Sequence, residues 1–202
     1  MLAQQSALVS ILSKGFLELG VGVGWNKAKY EALGQDFHTR GQRLNEQIVL
    51  LRKLWTEGVV TYTLAHEVID QMAINPLPDS PIPIWAGGWS KKAIDRAAKL
   101  ADGWIPMDNV EKVMILKKLL LERLEKYGRD PETFKIMGRV TLGTKPMKEC
   151  ITDYFKWIEG GVSHIALSTT GHQESDRYYH QELIVEFLES TRNYRHKKTN
   201  II

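Results

Sequence analysis

Apolar residues recur at helical spacing in some segments and form short continuous runs in others, and the two kinds of segment alternate along the chain. Leu2 to Ser13 places Leu2, Ala7, Leu8, Ile11 and Leu12 on one side of a predicted helix, closed by Gly15. Phe16 to Val23 predicts a strand ending in Gly20-Val21-Gly22-Val23-Gly24-Trp25. Asn26 caps a short helix through Leu33, and Gly34 ends it. A longer helix starts at Asp36 or Thr39 and reaches Glu57, with Leu44, Ile48, Leu51 and Trp55 as its buried stripe. Val59 to Thr63 and Val68 to Met72 predict a small hairpin, an excursion over 59–80 outside the main sheet. Asn75 to Pro83 then holds four of the seven prolines and forces an extended approach to the next strand.

That strand, Ile82 to Ala86, is a short apolar run suited to burial on both faces. Gly87 and Gly88 let the backbone turn sharply and come close to a ligand. Ser90 stands at an N-cap position, and Ala93, Ile94, Ala97 and Ala98 give the following helix an apolar stripe. Asp102-Gly103 closes the connection and Trp104-Ile105 begins another strand. The result is a βαβ unit with a helix N-terminus at the C-terminal end of a strand. Such a terminus presents N–H groups and a positive dipole end, which suit a phosphate. A capped helix behind a tight turn, without a ligand, fits the same residues.

Beyond it, Asp108-Asn109 caps a helix from about Val110 to Tyr127, with Val113, Leu116, Leu120 and Leu124 inside. Gly128 to Pro131 is a stop and a turn. Phe134 to Leu142 is a strand, and Pro146 opens a helix with Ile151, Tyr154, Phe155 and Ile158 facing in, closed by Gly160-Gly161. Val162 to Leu167 is a strand, Ser168 to His172 a polar loop, and Gln173 to Arg192 a last helix burying Ile184, Phe187 and Leu188. Strands alternating with helices mean an α/β fold with about five parallel strands. Both an open doubly wound sheet and part of a (β/α)8 barrel fit. Either places function at the C-terminal ends of the strands.

Composition narrows the partners. The 202 residues suffice for one domain with a sizeable core, 43% hydrophobic and 25% charged. A net charge of +3 gives no reason to expect nucleic acid. Arg195 to Lys198 reads as part of a flexible basic tail over 193–202. The one cysteine, Cys150, excludes an intrachain disulfide and a cysteine-based metal site. No apolar stretch reaches spanning length and no signal peptide stands out, so a cytoplasmic protein without a membrane partner is expected.

Chemistry-bearing motifs are sparse. Gly20 to Gly24 is G-x-G-x-G, not the dinucleotide fingerprint, and no Walker loop, zinc motif or nucleophile elbow is present. No two histidines stand at ligand spacing, and no metal is expected. His164 reads as a core histidine within a strand, and His172 as a loop residue near the functional face. Trp25, Trp89 and Trp104 offer flat apolar surface to a ring-shaped cofactor, although core packing accounts for Trp104 equally well. Arg40 and Arg43, near a helix start, are placed to reach an anion at the mouth of the strand layer.

Several stretches together resemble the luciferase-like monooxygenase family. They are Phe16 to Trp25 with its continuation through Tyr30 to Gly34, Asp36-Phe37, Thr39 to Leu44 and Leu54-Trp55; Pro83 to Gly88; Ala97 to Pro106; and Gly160 to Ile165. The spacing is most similar to the branch associated with the deazaflavin coenzyme F420; sister branches use FMN. The resemblance implies a (β/α)8-type barrel, cofactor-mediated hydride transfer or monooxygenation, and a small organic substrate. It also implies that Gly87, Gly88, Trp89 and Ser90 lie at the cofactor phosphate, with Gly22, Gly24 and Trp25 near the cofactor and Arg40 close to a phosphate position. Against this pattern the chain is a partial barrel, without roughly three N-terminal βα units. An opened barrel exposes strand edges and an apolar interior, so a second copy or a partner chain is expected to cover them. A flavin- or F420-dependent oxidoreductase, a non-catalytic cofactor-binding or assembly subunit, and an inactive fragment are the readings left open.

Overall fold

A computed structural model describes residues 1–170 and 177–199. Its elements are, in order, α1 (Leu2–Leu12), β1 (Leu19–Val21), α2 (Lys27–Ala32), a 3-10 turn (Phe37–Thr39), α3 (Arg40–Thr56), β2 (Val60–Thr63), β3 (Val68–Met72), β4 (Ile84–Gly87), α4 (Lys91–Leu100), β5 (Gly103–Ile105), α5 (Val110–Lys126), β6 (Lys135–Thr141), α6 (Met147–Glu159), β7 (His164–Ser168) and α7 (Arg177–Thr199). The residues group into two compact units, one of Met1–Met107 with Leu116–Phe134 and one of Asp108–Ile115 with Lys135 onward.

In the first unit β4 lies between β1 and β5, parallel to both, with Leu19 opposite Ile84 and Trp85 opposite Gly103. Ile84, Trp85 and Ala86 are buried, as a strand covered on both faces requires. Helix α4 turns Ala93, Ile94, Ala97 and Ala98 inward, and α3 turns Leu44, Ile48, Leu51 and Trp55 inward. Ile48 and Ile94, both fully buried, each contribute roughly 1.5–3 kcal/mol.

Asp102 joins the strands at the end opposite the glycine turn. Its N–H donates to Ile84 O at 2.7 Å, and its carboxylate accepts the Ile84 N–H at 2.8 Å and Arg52 Nη2 at 2.8 Å. Arg129 adds a second cation, with Nη2 at 3.7 Å. The residue after it must be glycine, because a Cβ on Gly103 would sit 2.5 Å from the Trp85 ring. The hairpin of β2 and β3 pairs antiparallel and stands apart from these parallel strands.

In the second unit β6 and β7 pair in parallel over Met137–Thr141 and His164–Ser168. Helix α6 lays Trp157 on this pair. A Cβ on Gly138 would be 2.7 Å from its ring, and the indole N–H donates to Arg139 O at 3.1 Å. Ser163 ties the strand starts together by accepting the Ile136 N–H and donating to Ile136 O, both at 3.0 Å.

Five expectations from sequence need correction. Strand β1 is shorter than Phe16 to Val23. Lys14 and Gly15 both adopt positive φ, which swings the chain out of α1, so Phe16 is 87% exposed and pairing begins only where the Leu19 N–H meets Pro83 O. Helix α1 buries Ala3, Ser6, Ala7 and Ser10, while Leu2, Leu8 and Leu12 are exposed. Small side chains let it lie close to α3, where Trp55 donates its indole N–H to Ala3 O at 3.1 Å. Helix α6 buries Cys150 and Trp157, two turns apart, and leaves Ile158 exposed, because the large indole decides which face turns in. Leu188 on α7 is exposed, with Phe187 and Thr191 buried in its place. His164 is exposed at the start of β7 and bonds Ser163 Oγ at 3.0 Å rather than sitting in the core.

His172 lies outside the described residues. Helix α7 runs to Thr199, and the side chains of the basic run 195–198 also lie outside them. Among the described residues, no helix is long and apolar enough to cross a membrane.

Candidate functional site

The turn between β4 and α4 is held from both sides. Gly88 donates its N–H to Ile105 O at 3.1 Å and accepts the Trp104 indole N–H at 2.6 Å. Its φ of +121 suits glycine, and a Cβ there would meet Ala93 Cβ at 2.9 Å. A Cβ on Gly87 would lie 3.4 Å from Val21 O, so this residue is also closely flanked by backbone. Ser90 is extended and its Oγ accepts the Ala93 N–H at 3.2 Å, so α4 starts where the sequence places it. The preceding N–H groups, on Lys91 and Lys92, belong to the first turn, which has no intrahelical acceptors for them. No acidic residue stands in that turn to oppose an anion.

A cleft of about 690 Å³ lies beside this helix start, lined among others by Ser90, Lys91, Lys92, Arg40 and Arg96. Arg40 stacks its guanidinium 3.7 Å over the Phe37 ring and donates from Nη1 to Phe37 O at 2.7 Å. Its Nε is buried and has no hydrogen-bond partner. Arg96, only 8% exposed, donates from Nε to Asn45 Oδ1 at 2.5 Å and from Nη2 to Gly41 O at 3.0 Å. Burial lowers the pKa of its guanidinium. A Cβ on Gly41 would lie 2.9 Å from Arg96 Nη2, so a glycine there makes room for the buried cation.

A second hollow, of about 300 Å³, adjoins Gly22, Val23, Tyr30, Arg40 and Arg43. Gly24 has φ +71, and a Cβ there would lie 3.6 Å from the Tyr30 ring, whose hydroxyl donates to Val23 O. Gly22 has nothing within 4 Å of its Cβ position, so no closely approaching backbone requires a glycine there. Trp25 is 86% exposed and Trp89 43% exposed, whereas Trp104 is fully buried.

The proposed residues therefore divide. Ser90 and Arg40 share one cleft, and Gly22 and Arg40 share the other. Gly87 and Gly88 shape the turn behind Ser90. Gly24, Trp25 and Trp89 line neither hollow. Arg96 and Asn45 escaped notice in the sequence. Arg96 sits in the apolar stripe of α4 between Ala93 and Ala97, and a cation in that register was the available signal.

Glu46 was also missed. It is buried, and its carboxylate accepts the His66 N–H at 2.9 Å, contacts His66 Nδ1 at 3.1 Å and accepts from Gln42 Nε2 at 3.3 Å. Burial pushes its pKa up, but the His66 and Gln42 contacts outweigh that and hold it below the ordinary value. With Gln47 donating to Glu67 at 2.8 Å, this contact clips the hairpin onto α3. Among the described residues no three His, Cys, Asp or Glu side chains group as metal ligands.

Comparison with known proteins extends the geometry. The family model for luciferase-like monooxygenase matches residues 1–199. Pyrimidine monooxygenase RutA of Variovorax paradoxus (strain S110) is 26% identical over 180 residues, 85% of this chain and 48% of that protein. An F420-dependent glucose-6-phosphate dehydrogenase of Amycolatopsis mediterranei (strain U-32) is 31% identical over 166 residues, 81% of this chain and 45% of that protein. The chain thus spans about half the length of these curated relatives. Among solved structures, an F420-dependent secondary alcohol dehydrogenase in complex with an F420-acetone adduct superposes with a TM-score of 0.79 at 14% identity, over 94% of this chain and 74% of that one. The coenzyme F420 dependent tetrahydromethanopterin reductase from Methanopyrus kandleri gives 0.70 at 12% identity, over 86% and 74%. These likenesses show the fold, a portion of the (β/α)8-type barrel expected from sequence.

Proposed function

The chain belongs to the luciferase-like monooxygenase family, and from that premise we propose that it binds a phosphate-bearing flavin-type cofactor, F420 or FMN, at the Gly87–Ser90 turn. The relatives named for F420 support the first, and the shared turn chemistry suits the phosphate of either. One observation carries the reading. Trp104 and Ile105 hold Gly88 from both sides, Ser90 caps α4, and an acid-free helix start opens beside Arg40, Lys91 and Lys92. These groups complement a phosphate dianion by charge and by N–H donors. Arg40 contributes an unpartnered buried Nε, and Gly22, Gly24 and Trp25 belong to the strand end nearer the ring.

When bound, such a cofactor supplies hydride transfer or oxygen chemistry on a small organic substrate. The residues of this chain bind its phosphate and orient it. The activity is that of an oxidoreductase. A second reading, a cofactor-binding subunit without turnover, is favoured by the exposure of Trp25 and Trp89, which leaves the flat apolar surface at the strand ends uncovered. A second copy or a partner chain covers the exposed face of α1 in this proposal. Sedimentation at rising concentration tests that part, and a monomer at every concentration rejects self-association.

The test of binding is titration with FMN and with F420, followed by cofactor fluorescence. Saturable binding of one, weakened at least tenfold by Ser90→Glu, is the expected result. Binding unchanged by Ser90→Glu removes the phosphate from this turn, and no binding by a folded protein rejects the cofactor reading. Saturable binding of a cofactor that no substrate reduces or oxidises in the complex supports the second reading.

A further inference from the structure

The β6–β7 pair of the second unit has two unlike faces. Side chains alternate along a strand, and a Cβ on Gly138 would meet the Trp157 ring of α6, so Ile136, Val140 and Leu142 are buried on that side. Met137, Arg139 and Thr141 take the other side. The register sets His164, Ala166 and Ser168 of β7 opposite them. In a (β/α)8-type barrel the side away from the helices is the interior, ordinarily filled by branched aliphatic side chains. Here its C-terminal part is polar. Arg139 and Thr141 lie in the last three residues of β6, and Ser168 ends β7.

Arg139 is exposed although it lies within a strand, and among the described residues its guanidinium makes no hydrogen bond or ion pair. Neither β6 nor β7 contains an Asp or Glu to neutralise it. Lys135 stands on the same face four residues earlier, about 13 Å down the strand. The Ser168 hydroxyl bonds Thr170 Oγ1 at 2.7 Å and accepts the Thr170 N–H at 3.3 Å, which fixes it at the strand end. Met137 and Ala166, both half-buried, provide apolar ground beside the guanidinium. A planar fork of N–H donors flanked by hydroxyls matches a carboxylate. One cation balances a monoanion and leaves a phosphate dianion half-neutralised.

We propose that Arg139, with Thr141 and Ser168, forms a substrate-recognition site for an organic carboxylate whose apolar body rests on Met137 and Ala166. That the ligand is a substrate rests on the oxidoreductase reading, but the carboxylate site does not. Its consequence is selectivity. A substrate carboxylate is held by the guanidinium, and the corresponding amide, alcohol or ester loses that contact. Arg139 is a specificity residue and takes no part in the transfer of hydride or oxygen.

The test is an NMR titration of the full chain, without cofactor, with benzoate, benzamide and inorganic phosphate. Benzoate is expected to shift the amide signals of Arg139, Thr141 and Ser168 saturably. Benzamide is expected to bind about tenfold more weakly, as loss of a charge-assisted contact predicts. Phosphate is expected to move the same signals less than benzoate does. Arg139→Gln abolishes the preference for benzoate over benzamide, read at Thr141 and Ser168. Lys148→Gln on α6, matched in charge, keeps it. Both side chains are exposed, so the fold tolerates their loss.

Equal affinity for benzoate and benzamide overturns the site. So does the absence of shifts at the ends of β6 and β7, a benzoate preference that survives Arg139→Gln, or a stronger response of the three signals to phosphate. Titration of Arg139→Gln with FMN and F420 separates this site from the cofactor reading, and its cofactor affinity is expected to equal that of the unmodified chain. A cofactor affinity that falls in Arg139→Gln assigns the guanidinium to the cofactor and overturns the carboxylate site. If neither cofactor binds the unmodified chain while benzoate shifts the three signals, the cofactor reading fails and the carboxylate site stands.

Discussion

The indole N–H of Trp104 donates to the carbonyl of Gly88 at 2.6 Å, so the strand after α4 holds the turn before it. The contact is part-buried and joins residues separated by a complete helix. Trp104→Phe keeps a ring but leaves the Gly88 carbonyl without this donor. The expected cost is about 1–2 kcal/mol in urea unfolding, with weaker phosphate binding measured on the same protein. Unchanged stability and unchanged phosphate affinity would show that the bond does not brace the turn.

Three glycines separate packing from tolerance. Gly103→Ala drives a methyl to 2.5 Å from Trp85, and Gly138→Ala drives one to 2.7 Å from Trp157. Each is expected to lose about 1–3 kcal/mol or more through overpacking. Gly22→Ala meets nothing within 4 Å, and its stability is expected within roughly 0.5 kcal/mol of the unmodified chain. Thermal unfolding of the three variants side by side checks the order.

Asn45→Asp places a carboxylate on the Arg96 guanidinium, where a neutral amide now accepts at 2.5 Å. A charge-assisted bond replaces a neutral one, and stability is expected to rise by about 1 kcal/mol at neutral pH. The same change adds a negative charge to the cleft that Asn45 and Arg96 share with Ser90 and Arg40, so phosphate affinity should fall. A variant that is more stable and binds as before would detach Arg96 from the cleft's anion chemistry.

The Glu46 carboxyl, held below 4.5 mainly by His66 against the opposing effect of burial, ties stability to pH. Its folded pKa is depressed, so its contribution is complete above the unfolded value and is lost as pH falls through the folded value. Glu46→Gln removes the titration. The stability gap between the two proteins should be constant from neutral pH to about 5 and close below the ordinary carboxylate range. A gap that persists at the acid end would mean that shape, rather than charge, holds the hairpin to α3.

Much of the fold was legible because its signals are local. Asn26 and Ser90 accept N–H groups three residues ahead, and Gly34 and Gly128 take positive φ just past the ends of α2 and α5. Such effects act within one turn of helix and need no knowledge of distant residues. The faces of α1 and α6 were not legible in this way. In α1 the leucines make the stronger hydrophobic pattern, yet close approach to α3 selects Ala3, Ser6, Ala7 and Ser10. The partner's shape decides that choice, and the partner lies some fifty residues away in Trp55.

The candidate site divides along the same line. Sequence by itself determined the order of strands and helices, the capped start of α4 and the glycine turn ahead of it, because each depends on backbone conformation over a few residues. Tertiary structure alone decided that Arg40 and Arg96 share a cleft with Ser90, that Arg96 faces a neutral amide, and that Trp104 reaches back to Gly88. Burial and charge pairing depend on which side chains meet across the fold, and spacing along one segment does not specify that meeting.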